Sequence, residues 1–147
     1  MIKKLHLGVY GAIIKDDKIL LIKKARGPYT EKLDLPGGKI EHGENINDCL
    51  TREIKEETGL AVDNFAIINN FTWNINFKNE EGNIFMHHVG LVYRANIINY
   101  EQLDEQIKFE DTAGCQFYPI RDLDEEELSP FAKFTINHLK NEIKNAI

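Results

Sequence analysis

Apolar and β-branched residues run almost without interruption through 5–14 and 19–24, separated by the polar tetrapeptide Lys15-Asp16-Asp17-Lys18. Two such runs joined by a short polar turn predict a β-hairpin. Residues 25–34 carry Gly27-Pro28 and several charges and read as a loop. Leu35-Pro36-Gly37-Gly38 then breaks regular structure, because proline lacks a backbone donor and paired glycines permit close backbone approach. From residue 44 to residue 59 the period becomes helical. Asn45 is a good N-cap, Asp48 puts acid in the first turn, and Gly59 stands where a helix ends in the left-handed conformation. Ile46, Cys49, Leu50 and Ile54 form an apolar stripe that can pack on a sheet. Residues 65–77 and 84–95 are strand-like, with a polar turn between them, and the polar residues 96–112 read as an excursion. Residues 116–120 can form a last short strand. Ser129-Pro130 joins an N-cap to a proline at the first helical position, and Ala132, Ile136, Leu139 and Ile143 mark the buried face of a closing helix. The predicted order is strands, helix, strands, helix.

At 147 residues the chain is the size of a single domain, 1–147, able to bury a core without disulfides or a structural metal. No repeat or low-complexity tract divides it. Two lysines precede the first apolar run, as in a secretory leader, but His6, Gly8 and Gly11 interrupt that run and no small-residue cleavage site follows, so a strand is expected there. No apolar stretch approaches the length of a bilayer-spanning helix, and a soluble protein without a membrane partner is expected. Cys49 and Cys115 lie far apart with neither zinc-site nor disulfide spacing, which fits a reducing cytoplasm. The net charge of −6 argues against a nucleic-acid polymer as partner, since such binding needs a basic surface. A small anionic substrate stays open if metal ions supply positive charge locally.

The chemistry concentrates in GKIEHGENINDCLTREIKEETGL, from Gly38 to Leu60. Gly38, Glu44, Arg52, Glu53, Glu56, Glu57 and Gly59 are spaced around the apolar Ile54 and Leu60. At average residue frequencies this set coincides by chance on the order of once in a billion windows. On a helix, spacings of three and four residues bring Glu53, Glu56 and Glu57 to neighbouring positions on one side. Converging like charges cost stability or raise a pKa, and a divalent cation reverses that by giving the oxygens a hard ligand-seeking partner. Mg²⁺ suits such a site because it binds a few carboxylates while keeping waters and substrate phosphates as its other ligands.

These residues form a complete Nudix box, and the chain resembles the Nudix hydrolase family, whose members cleave a nucleoside diphosphate linked to another moiety. The resemblance implies an α/β fold of the Nudix type, an α/β/α sandwich with a mixed sheet between the box helix and a C-terminal helix. It implies Glu53, Glu56 and Glu57 as Mg²⁺ ligands, with Mn²⁺ as a substitute and the Gly38 carbonyl joining them. Glu44 is expected to pair with Arg52 or to act through a metal-bound water, and Arg52 to orient a glutamate with two parallel hydrogen bonds. The implied reaction is hydrolysis of a phosphoanhydride by water, without a covalent protein intermediate. Glu53 or Glu56 can serve as general base, as can an acid on a loop outside the box, for which Glu80, Glu81, Asp104, Glu105 and Glu110 are candidates.

Substrate contacts are expected outside the acids. Lys23, Lys24, Arg26, Lys32 and Lys39 can meet phosphates. Phe71, Trp73, Phe117 and Tyr118 can stack on a base. Phe117-Tyr118-Pro119 is similar to a late family strand that often carries tryptophan before the proline, and Phe117 departs from it. The proline that ADP-ribose-type members carry downstream of the box is absent. A nucleoside triphosphate pyrophosphatase of the pool-sanitising kind is therefore the first expectation. A hydrolase of ADP-ribose, nucleotide sugars or dinucleoside polyphosphates comes second, and a non-catalytic nucleotide-sensing module is the reading from another class. The resemblance also allows a homodimer.

Overall fold

The computed structural model describes residues 1–145, with side chains through residue 142. Its strands are β1 (Ile2–Ala12), β2 (Ile14–Lys15), β3 (Lys18–Lys24), β4 (Leu33–Asp34), β5 (Gly37–Lys39), β6 (Val62–Asn79), β7 (Gly82–Ile97), β8 (Lys108–Phe109) and β9 (Thr112–Pro119). Its helices are α1 (Ile46–Thr58) and α2 (Pro130–Asn145). A mixed sheet has the order β5-β1-β7-β6, with β1 and β7 parallel and the other pairs antiparallel. An antiparallel sheet has the order β2-β3-β9-β8, and β4 pairs with β3.

Both faces of β1 from Gly8 to Ala12 and of β3 from Ile19 to Ile22 are buried, which is why those stretches carry no polar alternation. Along β3, Ile19 and Leu21 join a cluster with Phe131, Ala132, Ile136 and Leu139 of α2. The intervening Leu20 and Ile22 join Cys49, Leu50 and Ile54 of α1 in a second cluster. On β1, Tyr10 and Ala12 face α2 and Val9 faces α1. The period of two thus sends successive side chains to opposite helices, each buried Leu or Ile contributing about 1.5–3 kcal/mol. The sandwich is the expected one, built on two sheets where the sequence reading foresaw one.

Several boundaries differ from expectation. The first hairpin is smaller: only Ile14 and Lys15 pair with Lys18 and Ile19, across a turn at Asp16-Asp17 with φ of 52° and 62°. That conformation matches the twist of the flanking strands and closes a two-residue loop. The preceding strand, β1, pairs instead with β7 in the other sheet. Strands β6 and β7 run beyond 65–77 and 84–95, up to Asn79 and from Gly82. As an edge strand β6 is largely solvated, so no apolar pattern marks its ends. The polar excursion contains β8, and β9 begins at Thr112 instead of residue 116.

The helix signals hold. Asn45 accepts a hydrogen bond from the Asp48 amide at 2.9 Å, and Gly59 at φ 80° donates to the Lys55 carbonyl at 2.9 Å. Ser129 accepts from the Ala132 amide at 3.3 Å, capping α2. Ala132, Ile136 and Leu139 are buried, and Ile143 lies outside the residues whose side chains are described. Among the described residues no helix is long and apolar enough to cross a membrane. Replacing Gly59 by alanine would set a Cβ 2.5 Å from the Gln102 carbonyl oxygen at a left-handed residue. Gly59→Ala is expected to lose at least about 1–2 kcal/mol in urea unfolding, and wild-type stability would contradict this cap geometry.

Candidate functional site

Arg52 organises the acidic side of α1. Its Nε and Nη2 donate to the two carboxylate oxygens of Glu44 at 2.8 and 2.9 Å, and its Nη1 donates to Glu53 at 3.0 Å and Glu56 at 3.3 Å. The hydrogen bonds from Arg52 hold the Glu44 carboxyl down at about 2. Burial raises Glu53 above the usual carboxylate range despite Arg52. The expected pairing of Glu44 with Arg52 is thus present as a two-oxygen fork.

Glu57 is buried and is bonded to other parts of the protein instead of to Arg52. Its carboxylate accepts from the Gly37 amide at 2.7 Å and from the Thr112 hydroxyl. Burial pushes it up to about 8. The convergence of Glu53, Glu56 and Glu57 foreseen from helical spacing is therefore corrected. Arg52 bridges the first two, Glu57 is held by β5 and β9, and no group of three His, Cys, Asp or Glu among the described residues is arranged to hold a metal ion as it stands.

The glycine pair sets the approach of backbone to acid. A Cβ on Gly38 would lie 2.8 Å from the Glu53 Cδ, so only a residue without one lets this main chain meet that carboxyl. A Cβ on Gly37, at φ 145°, would lie 2.2 Å from the Val9 carbonyl oxygen. The oxygens of Glu53, Glu56 and Glu57 with the Gly38 carbonyl are hard donors of the kind Mg²⁺ and Mn²⁺ take. This donor set could hold such an ion once the Glu56 and Glu57 side chains turn toward Glu53.

Gly37, Gly38, Arg52, Glu53 and Glu57 line a cleft of about 810 Å³. Arg26 and Lys39 line it as expected, Arg26 with an ion pair to Asp111 at 3.1 Å. Lys23 does not: neighbours on a strand point to opposite faces, and it pairs with Glu31 at 3.4 Å while Lys24 enters the cleft. Glu56 and Glu44 meet Arg52 but are not among the lining residues. Trp73 packs edge-on against Phe134 of α2 with ring centres 5.9 Å apart, and Phe117 packs against Tyr100 at 5.7 Å. Both lie outside the cleft, whose aromatic lining includes His6, Tyr10, Tyr29, His88 and Phe109 instead. Of the loop acids, Glu110 lines it.

The NUDIX domain family model matches residues 4–139. The chain belongs to the Nudix family. An ADP-ribose pyrophosphatase of Methanocaldococcus jannaschii is 52% identical over 54 residues, 37% of this chain and 32% of that protein. An 8-oxo-dGTP diphosphatase of Escherichia coli is 33% identical over 66 residues, 44% of this chain and 51% of that protein. The match thus spans about a third to a half of these curated relatives. A MutT NUDIX hydrolase from Burkholderia pseudomallei has a similar structure, with a TM-score of 0.71 and 25% identity over 92% of this chain and 98% of that one. Nudix hydrolases generally use divalent metal ions and act on small nucleotide substrates.

Sequence reasoning missed Thr112, Tyr29 and His88. Thr112 sat at the end of a stretch read as an excursion, Tyr29 in a loop and His88 within an apolar strand, and no spacing rule connects them to the box. Thr112 is 2% exposed and shares the buried Glu57 carboxyl with Gly37. Thr112→Val keeps the shape and removes a donor to Glu57. A loss of about 1–3 kcal/mol in thermal or urea unfolding is expected, with Thr112→Ser near wild type; equal stability of the valine variant would contradict the bond.

Proposed function

We propose that this Nudix protein hydrolyses a phosphoanhydride bond in a nucleoside diphosphate derivative, with nucleoside triphosphates as the first substrate class. The observation that carries the reading is the Glu53 carboxyl lying against the Gly38 backbone within a cleft that Lys24, Arg26 and Lys39 also line. Hard oxygen donors and cations in one cleft suit a polyphosphate bound together with a metal ion.

Glu53, Glu56 and Glu57, with the Gly38 carbonyl, would hold Mg²⁺, for which Mn²⁺ can substitute. When bound, that ion neutralises phosphate oxygens and lowers the pKa of a coordinated water. Arg52 orients the glutamates, keeping Glu53 and Glu56 on one guanidinium while Glu44 anchors it from behind. Lys24, Arg26 and Lys39 attract the phosphates. Glu110 would accept a proton from the attacking water, a role supported by its lining the same cleft from the turn between β8 and β9.

A second reading, hydrolysis of ADP-ribose, a nucleotide sugar or a dinucleoside polyphosphate, is favoured by the short match to a protein named ADP-ribose pyrophosphatase. A non-catalytic sensing module is disfavoured because every acid of the box is present. A panel of these substrates, assayed with Mg²⁺ and with EDTA, separates the readings. Turnover that depends on Mg²⁺ and is greatest on nucleoside triphosphates is expected; turnover persisting in EDTA would rule out metal-assisted hydrolysis, and silence across the panel with nucleotide binding retained would favour the sensor.

Glu56→Gln removes a proposed ligand charge without touching the core. Its turnover is expected to fall by more than about a hundredfold, beyond the effect of a typical outer-sphere change. Glu110→Gln is expected to fall by about 10²–10⁴-fold if it is the base. An unchanged rate in either variant would remove that residue from its role.

A further inference from the structure

The wall of the cleft away from the box holds a buried hydrogen-bonded chain that the hydrolytic chemistry leaves unused. The His88 imidazole, 3% exposed, lies between two phenols: Tyr10 Oη is 2.6 Å from Nε2 and Tyr29 Oη is 2.9 Å from Nδ1. Phe131 and His6 meet the ring edge-on, at centroid distances of 4.2 and 4.6 Å, and fix its plane. Burial and the neighbouring His6 hold its pKa down at about 3, so the ring is neutral and carries one N–H.

A neutral imidazole donates at one nitrogen and accepts at the other, so one tyrosine must give a hydrogen and the other must receive one. Two observations decide the direction. The 2.6 Å contact is shorter than N–H donors usually make and fits an O–H donor, while 2.9 Å is compatible with an N–H donor. The Tyr10 hydroxyl is also hemmed in by Gly8, where a Cβ would lie only 2.2 Å away, and it has no hydrogen-bond partner other than His88 among the described residues. Tyr10 is the more deeply buried of the two phenols, so if it accepted from His88 its own hydrogen would have no acceptor among the described residues. It therefore donates to Nε2. Nδ1–H then donates to the Tyr29 oxygen, and the Tyr29 hydrogen is left for the cleft that this residue lines.

We propose that Tyr29 is a substrate-recognition residue whose hydroxyl is fixed by the Tyr10–His88 relay as a donor to an acceptor atom of the nucleobase. This rests on the nucleotide reading of the cleft. Pro28, His6, Met86 and His88 line the cleft with Tyr29, and the Asp34 carboxyl, which also lines it and acts on the Tyr29 phenol, disfavours an anion there, so the wall suits a planar ring better than a phosphate. His88 acts through Tyr29 and is a positioning residue.

Two measurements test it. Long-range ¹H–¹⁵N spectra of the free protein, with the His88 signals assigned by their loss in His88→Gln, are expected to show Nδ1 protonated and Nε2 bare. The opposite tautomer would overturn the relay. In steady-state assays Tyr29→Phe is expected to raise KM about three- to tenfold with kcat little changed, while competitive inhibition by inorganic tripolyphosphate stays as in wild type. Unchanged KM, or an equal weakening of tripolyphosphate, would overturn the base contact. Wild-type protein without turnover on any nucleotide would refute the hydrolase reading, and the tautomer, read without substrate, would still decide the relay.

Discussion

The guanidinium of Arg52 lies within 3.9 Å of the carboxylates of Glu41, Glu44, Glu53 and Glu56, and the acidic side of α1 depends on that shared cation. Without it, like charges a turn or less apart would repel each other in a region where burial already disfavours ionisation of Glu53. The planar fork matters. Two of its nitrogens grip Glu44 while the third reaches Glu53 and Glu56, a division that a lysine ammonium, as a point charge, has no geometry to make. Arg52 stays partly exposed, with 27% of its side chain accessible, so it collects this charge without full desolvation.

From that anchor the rest of the site follows by contact. Holding Glu53 in place brings its carboxyl against Gly38, and the glycine is required because any larger residue would occupy the space of the acid. Glu57, which Arg52 does not reach, is satisfied by the Gly37 amide and by Thr112 of the other sheet. The box helix is thus tied to both sheets through buried polar bonds as well as through Leu50 and Ile54. Across the cleft the logic changes from charge to oriented hydrogen bonding, with neutral aromatic groups in place of acids.

Much of the fold was legible because burial leaves a period in the sequence. The runs 9–12 of β1 and 19–22 of β3 carry no polar alternation since both of their faces are buried, and both helices carried their caps in plain view at Asn45, Gly59 and Ser129. What was not legible was partner choice. Nothing in the run containing β1 says that it pairs with β7, where Ile2 meets Ile84 and Ala12 meets Arg94, because a parallel pairing is non-local. The ends of β6 were equally silent, because a solvated edge needs no apolar pattern.

The site divides along the same line. Glu44 with Arg52, and Gly38 with Glu53, all fall within the box from Gly38 to Leu60, so the family resemblance announced them. Thr112, Tyr29 and His88 arrive from separate strands and loops, and their roles come from tertiary packing alone. Trp73 and Phe117 show the converse: aromatic character marked them, yet their rings are engaged with Phe134 and Tyr100. Lys23 and Lys24 differ by one residue and so by one face of β3.

The central claim is that Gly38 and the acids of α1 share one divalent ion. It is tested most directly by titrating Mn²⁺ into the ¹⁵N-labelled protein and following paramagnetic broadening of the backbone amides. The account expects broadening centred on Gly37, Gly38 and the turn from Glu53 to Glu57, reversed by excess Mg²⁺. Broadening centred elsewhere, or none at these residues, would contradict it.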